Sequence, residues 1–180
     1  MTVLLGIIYP FAMTGISQFF FPKKANGSLV MSDNRVVGSS LVGQNFTDPK
    51  YFQGRPSALE KPYDASNSGG SNFGPSNAKF LEEVSKRIEK VRKENVLNPE
   101  APVPADLVLA SASGLDPHIS VEAAMLQVPR IAKARGLQES EVQDALQRSA
   151  GGPLFGFLGD RRINVLRLNM SLDKRSRRKD

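Results

Sequence analysis

Met1-Thr2-Val3-Leu4-Leu5-Gly6-Ile7-Ile8-Tyr9-Pro10-Phe11-Ala12-Met13-Thr14-Gly15-Ile16-Ser17-Gln18-Phe19-Phe20-Phe21 contains no Asp, Glu, Lys, Arg or His, and Pro22-Lys23-Lys24 comes directly after it. A helix over residues 2–21 would rise about 30 Å, the thickness of a bilayer's hydrocarbon core. Val3, Leu4, Leu5, Ile7, Ile8, Phe11, Ile16, Phe19, Phe20 and Phe21 favour insertion by about 3 to 6 kcal/mol in sum. Pro10 removes one helical donor and predicts a kink near residues 6–10. Gly15, Ser17 and Gln18 are small or polar, which favours packing against other helices in lipid. A cleaved signal peptide would need a basic stretch before the apolar run, and none is present. Lys23 and Lys24 after the run favour, by charge counting alone, a cytoplasmic position for the rest of the chain.

Composition narrows the remaining chemistry. The 180 residues include no cysteine and one histidine, His118. A disulfide, a thiolate metal site, a cysteine nucleophile and a two-histidine zinc site are therefore excluded within one chain. The formal charge of +6 is unevenly distributed. Lys174, Arg175, Arg177, Arg178 and Lys179 form a basic tail over residues 174–180, expected to be solvated and disordered. No aromatic interleaving or nucleic-acid motif accompanies it, so no nucleic-acid partner is expected.

Beyond the apolar run, residues 28–31 and 35–42 read as two strands joined by Ser32-Asp33-Asn34. Residues 46–74 form a long turn-rich stretch, of a kind that tends to be functional. Phe80, Leu81, Val84, Ile88 and Val91 make one stripe on a helix over 77–94, with Ser76 or Asn77 as its cap. Residues 106–110 read as a short buried strand. Ser120 caps a helix over 121–135 that contains Pro129 and stops at Gly136, and another helix covers 139–149. The alternating Ile163, Val165 and then Leu166, Leu168, Met170, Leu172 read as a last strand over 162–172. The expected fold is α+β: one N-terminal transmembrane helix (2–21), a single mixed α+β extramembrane domain (27–173), and the tail.

Four stretches carry the functional signal: Tyr51-Phe52-Gln53-Gly54-Arg55-Pro56-Ser57-Ala58, Ser68-Gly69-Gly70-Ser71-Asn72-Phe73-Gly74-Pro75-Ser76-Asn77, Ser113-Gly114-Leu115-Asp116-Pro117-His118-Ile119-Ser120, and Arg162-Ile163-Asn164-Val165-Leu166-Arg167-Leu168-Asn169. The Ser/Gly stretch approaches a helix start, where backbone N–H groups can hold an anion. Its glycines equally permit tight turns, and Asn72 and Ser76 equally bond backbone. Asp116 and His118 invite a catalytic relay, but a relay depends on geometry rather than adjacency, and no catalytic residue is assigned. Arg55 suits either an interface anchor or a structural ion pair.

Together the four stretches resemble the C-subunit family of the bacterial Kdp potassium-transporting P-type ATPase, over residues 9–173. The resemblance implies a non-catalytic subunit of a high-affinity, ATP-driven potassium import complex in the bacterial inner membrane. It implies partnership with a channel-like A subunit, an ATP-hydrolysing B subunit, a small F peptide and membrane lipid. It also implies a single-pass topology with the domain on the outer side, against the charge count. Members are described as catalytic chaperones that raise the B subunit's affinity for ATP. That description makes Ser68, Gly69, Gly70, Ser71 and Asn72 the expected nucleotide-contacting residues, with ATP bound by way of the B subunit and no cofactor or metal held tightly. Tyr51, Phe52, Arg55, Pro56, Ser57, Asn72, Gly74, Asn77, Asp116, Pro117, His118, Asn164 and Asn169 are the motif positions expected at interfaces. The Asp-Lys-Thr-Gly phosphorylation motif of P-type ATPases is absent from the chain. The alternative from another class is a stand-alone membrane-anchored binding or sensor protein for a phosphorylated ligand.

Overall fold

The first residues are helical, but they do not form one α-helix. In this computed structural model, which describes residues 1–152, 156 and 158–176, a π-helical segment covers Leu4–Ile8 and helix α1 covers Tyr9–Phe20. Pro10 has no N–H to give to the carbonyl four residues back, and the wider π turn just before it accommodates that loss. Where a kink was expected at residues 6–10, the structure shows a π-helical segment over Leu4–Ile8. Among the described residues no helix is long and apolar enough to cross a membrane, so the structure does not confirm the expected single spanning helix over 2–21. Phe21 then leaves the helical region, and a four-residue helix α2 covers Pro22–Ala25.

Two compact units divide the chain, Met1–Leu41 and Val42–Asp180. The first holds these helices and an antiparallel hairpin, β1 (Leu29–Ser32) and β2 (Arg35–Ser39). Asp33 and Asn34 both take positive φ, 49° and 60°, as the two-residue turn requires. The second strand ends at Ser39 rather than at 42. Gln18, expected to pack against another helix, exchanges amide hydrogen bonds with Asn26 at 3.2 and 3.4 Å.

The second unit is built on helices. Helix α3 (Ala78–Glu94) is capped by Asn77, whose side chain accepts from the Phe80 N–H. Residues 105–107 form a 3₁₀ turn, not the expected strand. Pro104 sets its entry, and the Asp106 carboxylate accepts the Ser120 N–H at 2.6 Å and the Ser120 hydroxyl at 3.3 Å. Strand β3 (His118–Ser120) leads directly into α4 (Val121–Arg135), where Ser120 caps the start and Gly136, at φ 63°, closes the end. Helix α5 (Glu139–Ser149) opens with a capping box between Gln138 and Glu141.

Strand β4 (Ala150–Gly151) and strand β5 (Arg162–Asn164) come next, and β5 lies between β3 and β4 in an antiparallel sheet. The pairs are His118↔Asn164, Ile119↔Ile163 and Ser120↔Arg162. The expected long strand over 162–172 is corrected: after Asn164 the chain turns into helix α6 (Val165–Ser176). Its buried residues include Val165, Leu168, Asn169 and Leu172, a helical spacing. Lys174, Arg175 and Ser176, expected in the tail, end this helix, and residues 177–180 lie outside the described residues. The core gathers Phe52, Ile119, Val128, Ile131, Val142, Leu146, Ile163, Leu168 and Leu172.

Candidate functional site

The segment around Phe52 belongs to no helix or sheet, so its backbone groups need other partners. Two side-chain amides supply them. Asn169 on α6 accepts the Phe52 N–H at 2.8 Å and donates to the Phe52 carbonyl at 2.9 Å. Gln127 on α4 does the same for Gln53, at 2.8 and 3.2 Å. Arg130 donates to the Tyr51 carbonyl at 3.2 Å, to Asn95 at 3.0 Å, to Gln127 at 2.8 Å and to the Pro49 carbonyl. Burial pulls the Arg130 guanidinium below its ordinary value. Arg135 donates to the Lys50 carbonyl at 2.7 Å and pairs with Asp173 at 2.8 Å, while its guanidinium lies over the Tyr51 ring. With Phe52 fully buried in the core, residues 50–53 are fixed on both sides.

Arg55 extends from this fixed segment to the loop before β3. It pairs with Asp116 at 3.4 Å and donates to the Leu109 and Ala110 carbonyls at 3.4 and 3.3 Å. The other Asp116 oxygen accepts the His118 N–H at 3.0 Å and lies 3.4 Å from His118 Nδ1. The His118 side-chain contact, then its backbone N–H and charge, and the Arg55 charge hold the Asp116 carboxyl below the usual carboxylate range, against the opposing effect of burial. Tyr63 closes the cluster. Its hydroxyl donates to the Arg55 carbonyl at 2.5 Å, and a Cβ on Gly54 would sit 2.7 Å from that hydroxyl. Burial, then the negative charge of Asp116, pushes Tyr63 up to about 12. Tyr63 holds a φ of 60°, a region a side chain of this size rarely adopts.

The Ser/Gly stretch lies along the same loop from the other side. Gly69 N–H and the Ser68 hydroxyl both donate to the Ser113 carbonyl, at 3.0 and 3.3 Å. The Ser57 hydroxyl donates to the Gly114 carbonyl at 2.9 Å. A Cβ on Gly70 would lie 3.2 Å from the Ala112 carbonyl oxygen, and one on Gly114 would meet the Gly69 carbonyl at 2.9 Å. These glycines therefore permit close backbone approach.

The structure thus brings Arg55, Ser57, Ser68, Gly69, Gly70, Asp116 and His118 to one loop, in which Pro117 is buried. The Pro117 carbonyl accepts the Val165 N–H, and Asn164 caps α6 by accepting the Arg167 N–H at 3.1 Å. Pro56 lines a cleft beside Arg55. Ser71, Asn72, Gly74 and Asn77 stand exposed outside the cluster, Asn72 with a φ of 53°. Tyr51 and Phe52 belong to the clamped segment, and Asn169 on α6 is one of the residues that clamp it. Sequence reasoning missed Tyr63, Gln127, Arg130, Arg135 and Asp173. The signal for Gln127 was a polar residue inside the apolar stripe Ala123, Ala124, Val128, Ile131. The two arginines looked like any solvated helix face.

Two clefts flank Arg55. One, of about 300 Å³, is bordered by Arg55, Ser57, Tyr63, Arg87, Lys90 and Glu94. The other, of about 350 Å³, is bordered by Arg55, Asp106, Asp116, His118 and Arg162. Among the described residues no group of three His, Cys, Asp or Glu side chains gathers to hold a metal ion. The nearest hydroxyl on β3, Ser120, is engaged with Asp106 and with the Ala123 N–H at 3.0 Å.

A family model described as "KdpC: K+-transporting ATPase, c chain" matches residues 1–174. A protein of Caldanaerobacter subterraneus subsp. tengcongensis named potassium-transporting ATPase KdpC subunit is 51% identical over 170 residues, 94% of this chain and 87% of its own. Proteins of the same name from Rhodopseudomonas palustris (strain BisB5) and Dechloromonas aromatica are 47% and 50% identical. The alignments cover 99% and 98% of this chain and 93% of each relative.

Proposed function

The chain belongs to the KdpC family, the c chain of K+-transporting ATPases, and from that premise we propose that it is a non-catalytic assembly subunit of an ATP-driven, high-affinity potassium importer. The observation that carries this reading is how the family motifs are used. Arg55, Ser57, Ser68, Gly69 and Asp116 direct their polar atoms to one another and to the loop before β3. Groups engaged in this way build a rigid surface rather than a reaction centre. The partners are the channel-like, ATP-hydrolysing and small peptide subunits that the family resemblance names.

The apolar residues of the π segment and α1 anchor the chain in the bacterial inner membrane as one continuous helical run. All the large apolar side chains from Val3 to Phe20 are at least 43% exposed, which suits lipid or neighbouring helices. The Val42–Asp180 unit then lies on the outer side. ATP is on the other side, so a rise in the B subunit's ATP affinity would be long-range coupling and would need a two-state element that both sites bias. Direct contact of the nucleotide with residues 68–72 is the weaker form of this reading, since Ser68 and Gly69 already serve the Ser113 carbonyl.

Potassium-stimulated ATPase activity of the complex, purified with and without this chain, tests the proposal. We expect loss of stimulated activity together with loss of complex integrity when the chain is omitted. Full activity in an intact complex lacking it would reject the assembly role.

A further inference from the structure

Unit Met1–Leu41 contains more than an apolar helical run. The β1–β2 hairpin carries an apolar face with nothing of its own unit upon it. Leu29 and Met31 alternate onto one side of β1, and the register Met31↔Val36 places Val36 beside them. Their exposures are 47%, 52% and 56%. A two-stranded hairpin with an uncovered apolar face is marginal in water and needs a surface to lie on.

What lies there is indicated by the root of the hairpin. Asn26 is bonded to Gln18 of α1 and to the Pro22 carbonyl, and the Ser28 N–H donates to the Lys23 carbonyl at 2.9 Å. The Ser39 hydroxyl donates to the Gly27 carbonyl at 2.7 Å. These bonds hold the hairpin at the end of the apolar run, next to Phe19, Phe20 and Phe21, which are 80%, 66% and 58% exposed. Aromatic rings succeeded by lysines are the composition of a membrane–water boundary. Residues 22–41 carry three cations, Lys23, Lys24 and Arg35, against one carboxylate, Asp33. That excess suits anionic headgroups. The open hairpin edges need water, so they fit the boundary and not the hydrocarbon.

We infer that the β1–β2 hairpin is a second lipid-contacting element, seated by Leu29, Met31 and Val36 in the headgroup region of an anionic bilayer. This rests on the anchoring proposed above. The chain has no cysteine, so Met31→Cys, Val36→Cys, Phe11→Cys and Glu89→Cys variants of the full chain each carry one environment-sensitive fluorophore. They are reconstituted in vesicles of phosphatidylethanolamine and phosphatidylglycerol with nitroxide-labelled lipid. The Met31 and Val36 probes should be quenched severalfold more than the Glu89 probe, and more by a headgroup-proximal nitroxide than by one at the chain end. Replacing phosphatidylglycerol with phosphatidylcholine should weaken that quenching. The Phe11 probe should favour the chain-end nitroxide. Hairpin probes at the Glu89 level beside a quenched Phe11 probe would overturn the inference and leave the anchor standing. All probes at the Glu89 level would overturn both. Hairpin quenching that vanishes in the assembled complex would assign the face to a protein partner and overturn the lipid seat.

Discussion

Asn169 serves as a strand partner without a strand. Its amide satisfies both backbone groups of Phe52 in a place where water does not reach, since Asn169 is 1% exposed. An Asn169→Leu variant keeps the branched shape and the number of heavy atoms and leaves a buried N–H and carbonyl unpaired. It should lose about 2 to 5 kcal/mol, measured by urea unfolding of the full chain in detergent. Loss below about 0.5 kcal/mol would show that the clamp adds nothing. Tyr63 makes a different contribution. Its folded pKa is raised from 10.0 to about 12, so its contribution is complete below pH 10 and is lost as pH rises toward 12. Wild-type stability should therefore fall across that alkaline window, and Tyr63→Phe should be less stable at neutral pH with a flatter alkaline slope. The sequence pointed to Arg55, Asp116 and His118 through their motifs, but not to Tyr63. Nothing local marks a tyrosine that folds back over its own loop at positive φ.

At the level of elements, helices α3, α4 and α5 were legible to within a residue or so. Their stripes are long, and Asn77, Ser120 and Gly136 mark their ends. Helix α6 was not, because its buried face contains Asn169. With that polar position set aside, Leu166, Leu168, Met170 and Leu172 mimic the period of a strand. Pro10 marked residues 6–10 for a kink, but nothing in the sequence marked a π-helical segment over Leu4–Ile8. One element end departs from its rule. Val96 lies just past α3 at the position where glycine is usual, with a φ of 53°, while the Leu97 N–H reaches back to the Arg92 carbonyl at 2.9 Å. Val96 is 88% exposed and has no packing to lose. Val96→Gly should stabilise the chain by about 1 kcal/mol, read as a rise in the unfolding midpoint. A fall would mean that the valine makes contacts that this conformation does not reveal.

Across the whole molecule, the polar constellation around Arg55 is assembled from three distant motifs, which is why their order in the sequence was informative and their geometry was not. They meet because the 42–77 stretch is fixed from both flanks. Gln127 and Asn169 clamp its first part, and the Ser113–Gly114 carbonyls hold its later part. A surface fixed in this way suits docking against other subunits with little ordering cost. The most direct measurement is co-purification through a C-terminal tag in mild detergent, with every partner identified. Stoichiometric recovery of a P-type ATPase subunit and a channel-like subunit is expected. Recovery of this chain alone, in a detergent that keeps other membrane complexes intact, would contradict the assembly role.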